Sequence, residues 1–161
     1  MILRTSYFNQ LLQLRDQDLI KVVTGIRRCG KSTLLHAFKQ HLLIDGVAAD
    51  AICFLNFEER ENAHFQSWEQ VYDFILGNLS AAAKRYVFLD EVQLIPQFEK
   101  LVDALYVKKD IDLYITGSNA YLLSSELSTM LSGRYIAINL HPFSFAEYVT
   151  AFPEVSDMGK L

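Results

Sequence analysis

Residues 25–32 read Gly-Ile-Arg-Arg-Cys-Gly-Lys-Ser, the phosphate-loop pattern of Gly, four free positions, Gly, Lys and then Ser or Thr. The two glycines allow backbone angles and close approaches that a Cβ would prevent, so successive backbone N–H groups can surround phosphate oxygens. Lys31 is expected to face the outer phosphates, and the Ser32 hydroxyl is the expected Mg²⁺ ligand. The residues predicted to contact the nucleotide are Gly25, Ile26, Arg27, Arg28, Cys29, Gly30, Lys31, Ser32 and Thr33.

The segments on either side of this loop support the same interpretation. Residues 19–24 are mostly apolar and predict a short strand, and residues 33–43 place apolar side chains at helical spacing. A helix that follows the loop directs its positive end at a bound phosphate. An ordinary glycine-containing turn between a strand and a helix is the alternative, and the agreement of strand, loop and helix weighs against it.

Two adjacent carboxylates, Asp90 and Glu91, follow the apolar residues 87–89. In a nucleotide-binding sheet, an Asp that directs Mg²⁺ belongs at the carboxyl end of a buried strand. We therefore expect Asp90 to hold the metal through water, and Glu91 to polarise the water that attacks the γ-phosphate. Many strands end in acidic turns, but downstream of a phosphate loop the pair is a strong signal. A Glu directly after the Asp favours hydrolysis over transfer to a small acceptor.

Strand and helix patterns alternate along the whole chain. Helices are predicted at 33–43, 67–79, 96–105 and about 120–131. Strands are predicted at 19–24, 51–57, 85–90, 112–116 and 135–140. This alternation predicts an α/β fold of three layers, with a five-stranded, mostly parallel sheet covered by helices on both faces.

Polar side chains end the fourth predicted strand. If that strand lies between the loop strand and the Asp90 strand, Thr116, Ser118 and Asn119 can reach the attacking water or the γ-phosphate. Ser118 or Asn119 could instead cap the following helix, and both roles are compatible with one another.

Three further features carry weaker signals. Arg4, Tyr7 and Phe8 could lie near a base or ribose, or could belong to a surface segment that covers the sheet. The acidic run at 58–61 is typical of a solvated turn. Cys29 lies among the cationic side chains of the loop, which favour a reactive thiolate, although a small residue that fits the loop is the more frequent case.

Composition limits the classes of protein to consider. A chain of 161 residues and 18.4 kDa has the length of one domain, and 51% hydrophobic residues exclude a disordered chain. A net charge of −4 without a long basic run argues against a general nucleic-acid-binding surface. No apolar stretch approaches membrane-spanning length, and residues 1–20 lack a secretory signal pattern. Cys29 and Cys53 suggest neither a disulfide nor a zinc site, so we expect a cytoplasmic protein.

Several motifs together resemble the AAA-type ATP-binding domain of prokaryotic proteins, which often carries a second, C-terminal domain. The segments that carry the resemblance are residues 25–32, 88–93 (Phe-Leu-Asp-Glu-Val-Gln), 116–120 (Thr-Gly-Ser-Asn-Ala), 131–134 (Leu-Ser-Gly-Arg) and 141–148 (His-Pro-Phe-Ser-Phe-Ala-Glu-Tyr). The resemblance implies a P-loop ATPase core over residues 1–150. It implies that residues 151–161 begin a lid or a second domain, because members of the family continue past this point.

The resemblance also implies ligands and roles for individual residues. It implies ATP and Mg²⁺ as ligands, and Ser118 or Asn119 as the polar sensor of the γ-phosphate. Arg134 resembles the arginine finger of such domains, which usually arrives from a neighbouring subunit. The full-length protein could therefore be a homo-oligomer.

The sequence thus favours a Mg²⁺-dependent ATPase core, a nucleoside triphosphate hydrolase, coupled to a further domain or partner. A non-catalytic nucleotide-binding module, in which ATP is a structural ligand, is the alternative. A GTPase would need a guanine-recognition motif of the Asn-Lys-x-Asp type, and the sequence contains none. A small-molecule kinase would need an acceptor site, and none can be identified.

Overall fold

Strands and helices alternate along residues 4–118, 122, 125–144 and 147, the part of the chain that the computed structural model describes. In chain order the elements are α1 (Thr5–Leu14), β1 (Ile20–Gly25), α2 (Lys31–Ile44), β2 (Ile52–Asn56), α3 (Trp68–Asn78), β3 (Arg85–Asp90), α4 (Phe98–Tyr106), β4 (Ile111–Thr116), α5 (Ser125–Met130) and β5 (Tyr135–Leu140). Short 3₁₀ turns occur at Ala49–Ala51, Arg60–Asn62 and Val92–Leu94. The predicted α/β alternation is confirmed.

The five strands form one sheet in the order β2-β3-β4-β1-β5, and every neighbouring pair is parallel. Val23 of β1 lies beside Thr116 of β4, and Leu89 of β3 lies beside Ile115 of β4. The fourth strand therefore lies between the loop strand and the Asp90 strand, which is the arrangement that the polar-sensor prediction required. Because the carboxyl ends of parallel strands meet at one edge, the phosphate loop, Asp90 and Thr116 share that edge of the sheet.

Helices cover both faces of the sheet, and the strand residues alternate between two hydrophobic clusters. Val87 and Leu89 of β3 pack with α3, α4 and α5, whereas Tyr86 and Phe88 pack with α1 and α2. The residues of β1 and β4 are all buried. Burial on both faces explains why the central strands have nearly continuous apolar sequences.

Helix boundaries differ from the predictions where local backbone geometry intervenes. Helix α4 begins at Phe98 and not at Pro96, because Gln97 has a left-handed backbone (φ 55°) that cannot continue an α-helix. Helix α2 begins at Lys31, so the Lys and Ser of the loop form its first turn. Of the predicted helix at about 120–131, the structure describes residues 122 and 125–131, of which Ser125–Met130 form α5; residues 120, 121, 123 and 124 lie outside the described part.

A buried polar cluster joins β1 to β4 near the amino edge of the sheet. The fully buried Lys21 ammonium contacts the Asp112 carboxylate at 2.5 Å and also donates to the Gln17 carbonyl at 2.7 Å. The second Asp112 oxygen accepts from the Tyr114 hydroxyl at 2.8 Å and from the Asp16 backbone N–H at 2.9 Å. Burial lowers the pKa of Lys21 and raises that of Tyr114, and the Asp112 carboxylate opposes the first effect and adds to the second.

None of the helices in the described ranges combines the length and the apolar content that a membrane crossing requires.

Candidate functional site

The backbone between β1 and α2 has the glycine-dependent geometry that the sequence predicts. A Cβ on Gly25 would lie 2.6 Å from the Cys29 sulfur and 2.6 Å from the Leu140 carbonyl oxygen, so only glycine fits there. Gly30 has open space around it but takes φ 94°, a left-handed conformation that glycine adopts without strain. It precedes α2 without a side-chain cap, so the first N–H groups of the helix are available to an anion.

Lys31 places its charge inside the loop. Its side chain is only 5% exposed, and its ammonium donates to the carbonyls of Gly25 and Ile26, both at 3.2 Å. These carbonyls belong to the loop itself, so the cation lies at the centre of the backbone turn that would surround phosphates.

A cavity of about 370 Å³ opens over the loop, beside a second one of about 320 Å³. The two share four charged residues: Arg27, Lys31, Glu58 and Glu91. The other residues of the first cavity are Arg28, Gly30, Ser32 and Thr33, and those of the second are Gln93, Leu94 and Ser118. Loop residues and the residues that follow β2, β3 and β4 therefore surround one region at the carboxyl edge of the sheet.

Asp90 ends β3, is fully buried, and directly precedes Glu91, which lines both cavities. One of the Asp90 carboxylate oxygens accepts a short hydrogen bond from the Thr116 hydroxyl. The other oxygen, Oδ2, is buried without a hydrogen-bond partner among the described residues. A buried carboxylate oxygen that lacks a donor is the type of ligand that a hard cation such as Mg²⁺, or its bound water, satisfies.

Glu91 has a left-handed backbone with φ 55°, a conformation that costs a non-glycine residue about 1–3 kcal/mol and is concentrated at functional sites. Its backbone N–H donates to the Thr116 hydroxyl at 3.0 Å, which ties the turn to β4. Its carboxylate is 3.8 Å from the Lys31 ammonium through Oε1, and accepts from Gln93 Nε2 at 2.6 Å through Oε2. The side chain is 16% exposed, on the wall of the cavity.

The remaining loop residues differ in their surroundings. Arg27 is 85% exposed and lies 3.6 Å from the Glu58 carboxylate, and Ile26 is also exposed. The Cys29 side chain is buried in the hydrophobic cluster on the α1 and α2 face. This burial among apolar neighbours favours the interpretation of Cys29 as a small residue that fits the loop.

Of the two predicted polar sensors, Ser118 lines the second cavity, and Asn119 lies outside the described residues.

Arg134 lies at the opposite edge of the sheet. Its carbonyl accepts from the N–H of Ile20, the first residue of β1, at 2.8 Å, and its guanidinium pairs with Asp103 at 2.7 Å. Strand β1 spans about 16–20 Å between this edge and the loop. Arg134 therefore does not contact the loop of its own chain, and its side chain is 46% exposed.

Three neighbours of the site carry little signal in the sequence. Glu58 was predicted to belong to a solvated turn, but it lines both cavities because it follows β2 at the same edge as the loop. Gln93 follows the two carboxylates and contacts one of them. The buried Arg4 guanidinium donates to the Cys29 carbonyl at 3.3 Å and to the His141 carbonyl at 2.5 Å, so it connects the loop to the residue that follows β5.

Comparison with known proteins gives consistent results. The family model described as "AAA domain" matches residues 17–149. An uncharacterized protein of Haemophilus influenzae is 43% identical over 152 residues, which are 94% of this chain and 38% of that protein. An uncharacterized protein of Methanocaldococcus jannaschii is 29% identical over 130 residues, 81% of this chain and 28% of the relative. The chain thus spans less than half the length of these relatives.

Two solved structures share the fold. A chain in the structure of C. elegans PCH-2 has a TM-score of 0.56 at 20% identity, covering 96% of this chain and 46% of that one. A chain in the structure of Drosophila ORC bound to AT-rich DNA and Cdc6 has a TM-score of 0.54 at 14% identity, covering 98% of this chain and 62% of the other.

Proposed function

This chain belongs to the AAA domain family, and from that premise we propose that it binds Mg²⁺-ATP and hydrolyses the γ-phosphate. The observation that carries the proposal is that Lys31 and Glu91 line the same cavity, with 3.8 Å between the Lys31 ammonium and the Glu91 carboxylate, and that Glu91 directly follows Asp90, whose Oδ2 is buried without a hydrogen-bond partner among the described residues. This reaction needs a cation that binds the phosphates, a carboxylate that activates water and a second carboxylate that holds the metal.

Ser32 and Asp90 are the residues that would hold Mg²⁺. Ser32 lines the first cavity, and the buried Oδ2 of Asp90, which has no hydrogen-bond partner among the described residues, could accept from a metal-bound water. When bound, the metal neutralises negative charge on the phosphate oxygens during transfer.

The chain's own groups account for the rest of the reaction. The Lys31 ammonium exchanges its two loop carbonyls for oxygens of the β- and γ-phosphates, which the N–H groups at the start of α2 also contact. Glu91 accepts a proton from the water whose oxygen attacks the γ-phosphorus, and ADP leaves with the electrons of the broken P–O bond. Ser118 and Asn119 orient the water or the γ-phosphate.

A binding module without turnover is the second candidate function. Both oxygens of the Glu91 carboxylate already have neighbours within the chain, Lys31 at 3.8 Å and Gln93 at 2.6 Å. A carboxylate held in this way could sense bound nucleotide without activating water. Hydrolysis measured on the full-length protein distinguishes the two functions.

Partners and compartment follow from the same proposal. Nucleotide state is coupled to a further domain or to other copies of the protein, and neither nucleic acid nor a membrane is needed. A reducing, cytoplasmic setting fits Cys29 and Cys53, which are both buried free thiols.

Lys31→Ala tests the binding part of the proposal. Losing the buried cation removes charge-assisted hydrogen bonds to the outer phosphates, so the Kd for Mg-ATP should rise about 10- to 100-fold. Isothermal titration calorimetry measures the Kd, and circular dichroism verifies the fold. Lys39→Ala, on the same helix but outside the cavity residues, is the matched control. Equal Kd values for the two variants would contradict the proposal.

Arg134→Ala tests whether Arg134 acts at the nucleotide site of a second copy of the protein, since the phosphate loop of the same chain lies at the opposite edge of the sheet from Arg134. In the full-length oligomer, we expect an unchanged Kd for Mg-ATP and a turnover lower by about 10³-fold or more. Mixing this variant with Lys31→Ala should restore part of the activity, because mixed interfaces combine an intact loop with an intact arginine. Asp103→Ala, which removes the ion pair but keeps the arginine, is the control. Wild-type turnover by Arg134→Ala would assign the residue a structural role.

A further inference from the structure

Gln93 makes a directed contact with Glu91 from the turn Val92–Leu94 that follows β3. Its Nε2 lies 2.6 Å from Glu91 Oε2, and its own Oε1 is buried without a partner among the described residues. An ionised carboxylate only accepts hydrogen bonds, so the amide must turn its NH₂ group toward Glu91 and its oxygen away. The amide therefore acts as a donor to Glu91, even though its buried oxygen is left without a donor of its own.

The space for this amide comes from Gly117, directly after β4. A Cβ on Gly117 would lie 2.5 Å from Gln93 Oε1 and 2.9 Å from two carbons of the Leu122 side chain. Gly117 has no left-handed backbone that would require glycine, so close approach explains the residue at this position. Gly117, at the end of β4, thus leaves the space in which the Gln93 amide contacts Glu91.

Gln93 is also the neighbour of Glu91 that nucleotide would leave in place. The other neighbour, Lys31, is expected to turn toward the phosphates when ATP binds, which weakens its 3.8 Å contact with the carboxylate. Arg27 and Glu58 line the same cavities, but their mutual contact of 3.6 Å is at the solvent-exposed rim. The 2.6 Å amide contact then decides where the carboxylate lies during turnover.

We propose that Gln93 is the positioning residue for Glu91, and that Gly117 acts with it by leaving room for the amide. The role rests on the proposed hydrolysis and deepens it. Gln93 holds the carboxylate in the direction of the attacking water and takes no part in proton transfer itself.

Kinetics of Gln93→Met on the full-length protein test the role. Methionine has a similar length and lacks the donor, so we expect kcat to fall about 10- to 100-fold, the scale of a misplaced catalytic group, with the Kd for Mg-ATP within about threefold. Gln93→Glu, which has the same shape but repels Glu91, should lower kcat at least as much. Gln40→Met, an exposed glutamine of α2, is the matched control. Unchanged kcat in Gln93→Met, beside an inactive Glu91→Gln, would overturn the inference and leave the proposed function standing.

A double-mutant cycle tests the part assigned to Gly117. Gly117→Ala should lower kcat in the wild-type background, because the new Cβ displaces the amide, and should lower it less in a Gln93→Ala background, where no amide is left to displace and the contact of the Cβ with Leu122 is common to both backgrounds. Additive effects of the two substitutions on log kcat would contradict the shared role.

The side-chain amide resonances of Gln93 provide a readout that does not depend on turnover. We expect the ¹⁵N-bound protons, identified by their loss in Gln93→Met, to shift in Glu91→Ala and in Gly117→Ala and to stay in place in Gln40→Met. If the protein does not hydrolyse ATP, the proposed function fails, and these shifts alone decide whether Gln93 holds Glu91. An unshifted Gln93 amide in Glu91→Ala would overturn the inference.

Discussion

Replacing Glu91 by Gln is expected to lower Mg-ATP turnover by about 10²–10⁴-fold while the Kd for Mg-ATP stays nearly constant. The new carbonyl oxygen can still accept from Gln93 Nε2, so the turn after β3 should keep its shape. An amide cannot take a proton from water at neutral pH, so only the chemical step is lost. Phosphate release under single-turnover conditions measures the rate, and calorimetry measures the Kd.

Glu59→Gln is the control for this experiment. It removes an equal charge from an exposed residue that is absent from both cavity walls, and it should leave turnover unchanged. Wild-type hydrolysis by Glu91→Gln would remove Glu91 from the mechanism and leave the non-catalytic binding module as the better description.

Replacing Asp112 by Ala is expected to destabilise the fold by about 3–5 kcal/mol. The substitution leaves the Lys21 ammonium fully buried without its counter-charge and deprives the Tyr114 hydroxyl of its acceptor. Because a domain of this size is stable by about 5–15 kcal/mol, the loss is a large fraction of the total. Urea unfolding at pH 7, followed by circular dichroism, measures the free energy of unfolding.

The pH dependence of this loss has a defined sign. Burial holds the pKa of Lys21 below its usual value of 10.5, and removing Asp112 lowers it further. The unfolded chain then binds the proton more tightly than the folded chain, so the folded variant gains stability as pH rises toward 10.5. The deficit of Asp112→Ala relative to wild type should therefore shrink between pH 7 and pH 10.

Two further variants distinguish the stability contribution of the buried Lys21–Asp112 pair from that of a partly exposed ion pair. Asp110→Ala breaks a partly exposed pair with Arg85 and should cost less than about 1 kcal/mol, because solvent screens it. Lys21→Met combined with Asp112→Ala should recover part of the loss, since no charge is then buried alone. A double variant as unstable as Asp112→Ala would show that the hydrogen bonds of Asp112, and not the charge of Lys21, account for the effect.

The contiguous parts of the site are the parts that a sequence can predict. Residues 25–32 are consecutive in the chain, and so are Asp90 and Glu91. Both motifs can therefore be identified without knowledge of the fold. The alternation of strands and helices was predicted for the same reason, because hydrophobic periodicity is a local property. The sequence left open whether the fourth strand lies between the loop strand and the Asp90 strand, and the observed sheet has these two strands on either side of β4.

The exact ends of the helices and the neighbours of the site residues depend on the tertiary structure and could not be predicted from local sequence patterns. Helix α4 begins at Phe98 and not at the predicted Pro96, because Gln97 has a left-handed backbone conformation that helix propensity does not reveal. The roles predicted for the site residues stay predictions until the variants above are measured. Of these residues, the structure places Lys31 and Glu91 on the walls of both cavities, Ser32 in the first and Ser118 in the second, and it places Arg134 at the opposite edge of the sheet.

By itself, then, the sequence determined the phosphate loop, the carboxylates after β3 and the class of fold, all of which depend on residues close together in the chain. Only the tertiary structure decided that Lys21 meets Asp112 across 91 positions, that Arg4 supports the Cys29 carbonyl, and that Gly117 makes room for Gln93. Such contacts arise when a parallel sheet brings distant strands side by side. The side chains involved carry no periodic signal, because their partners are set by strand order and register and not by neighbours in the chain.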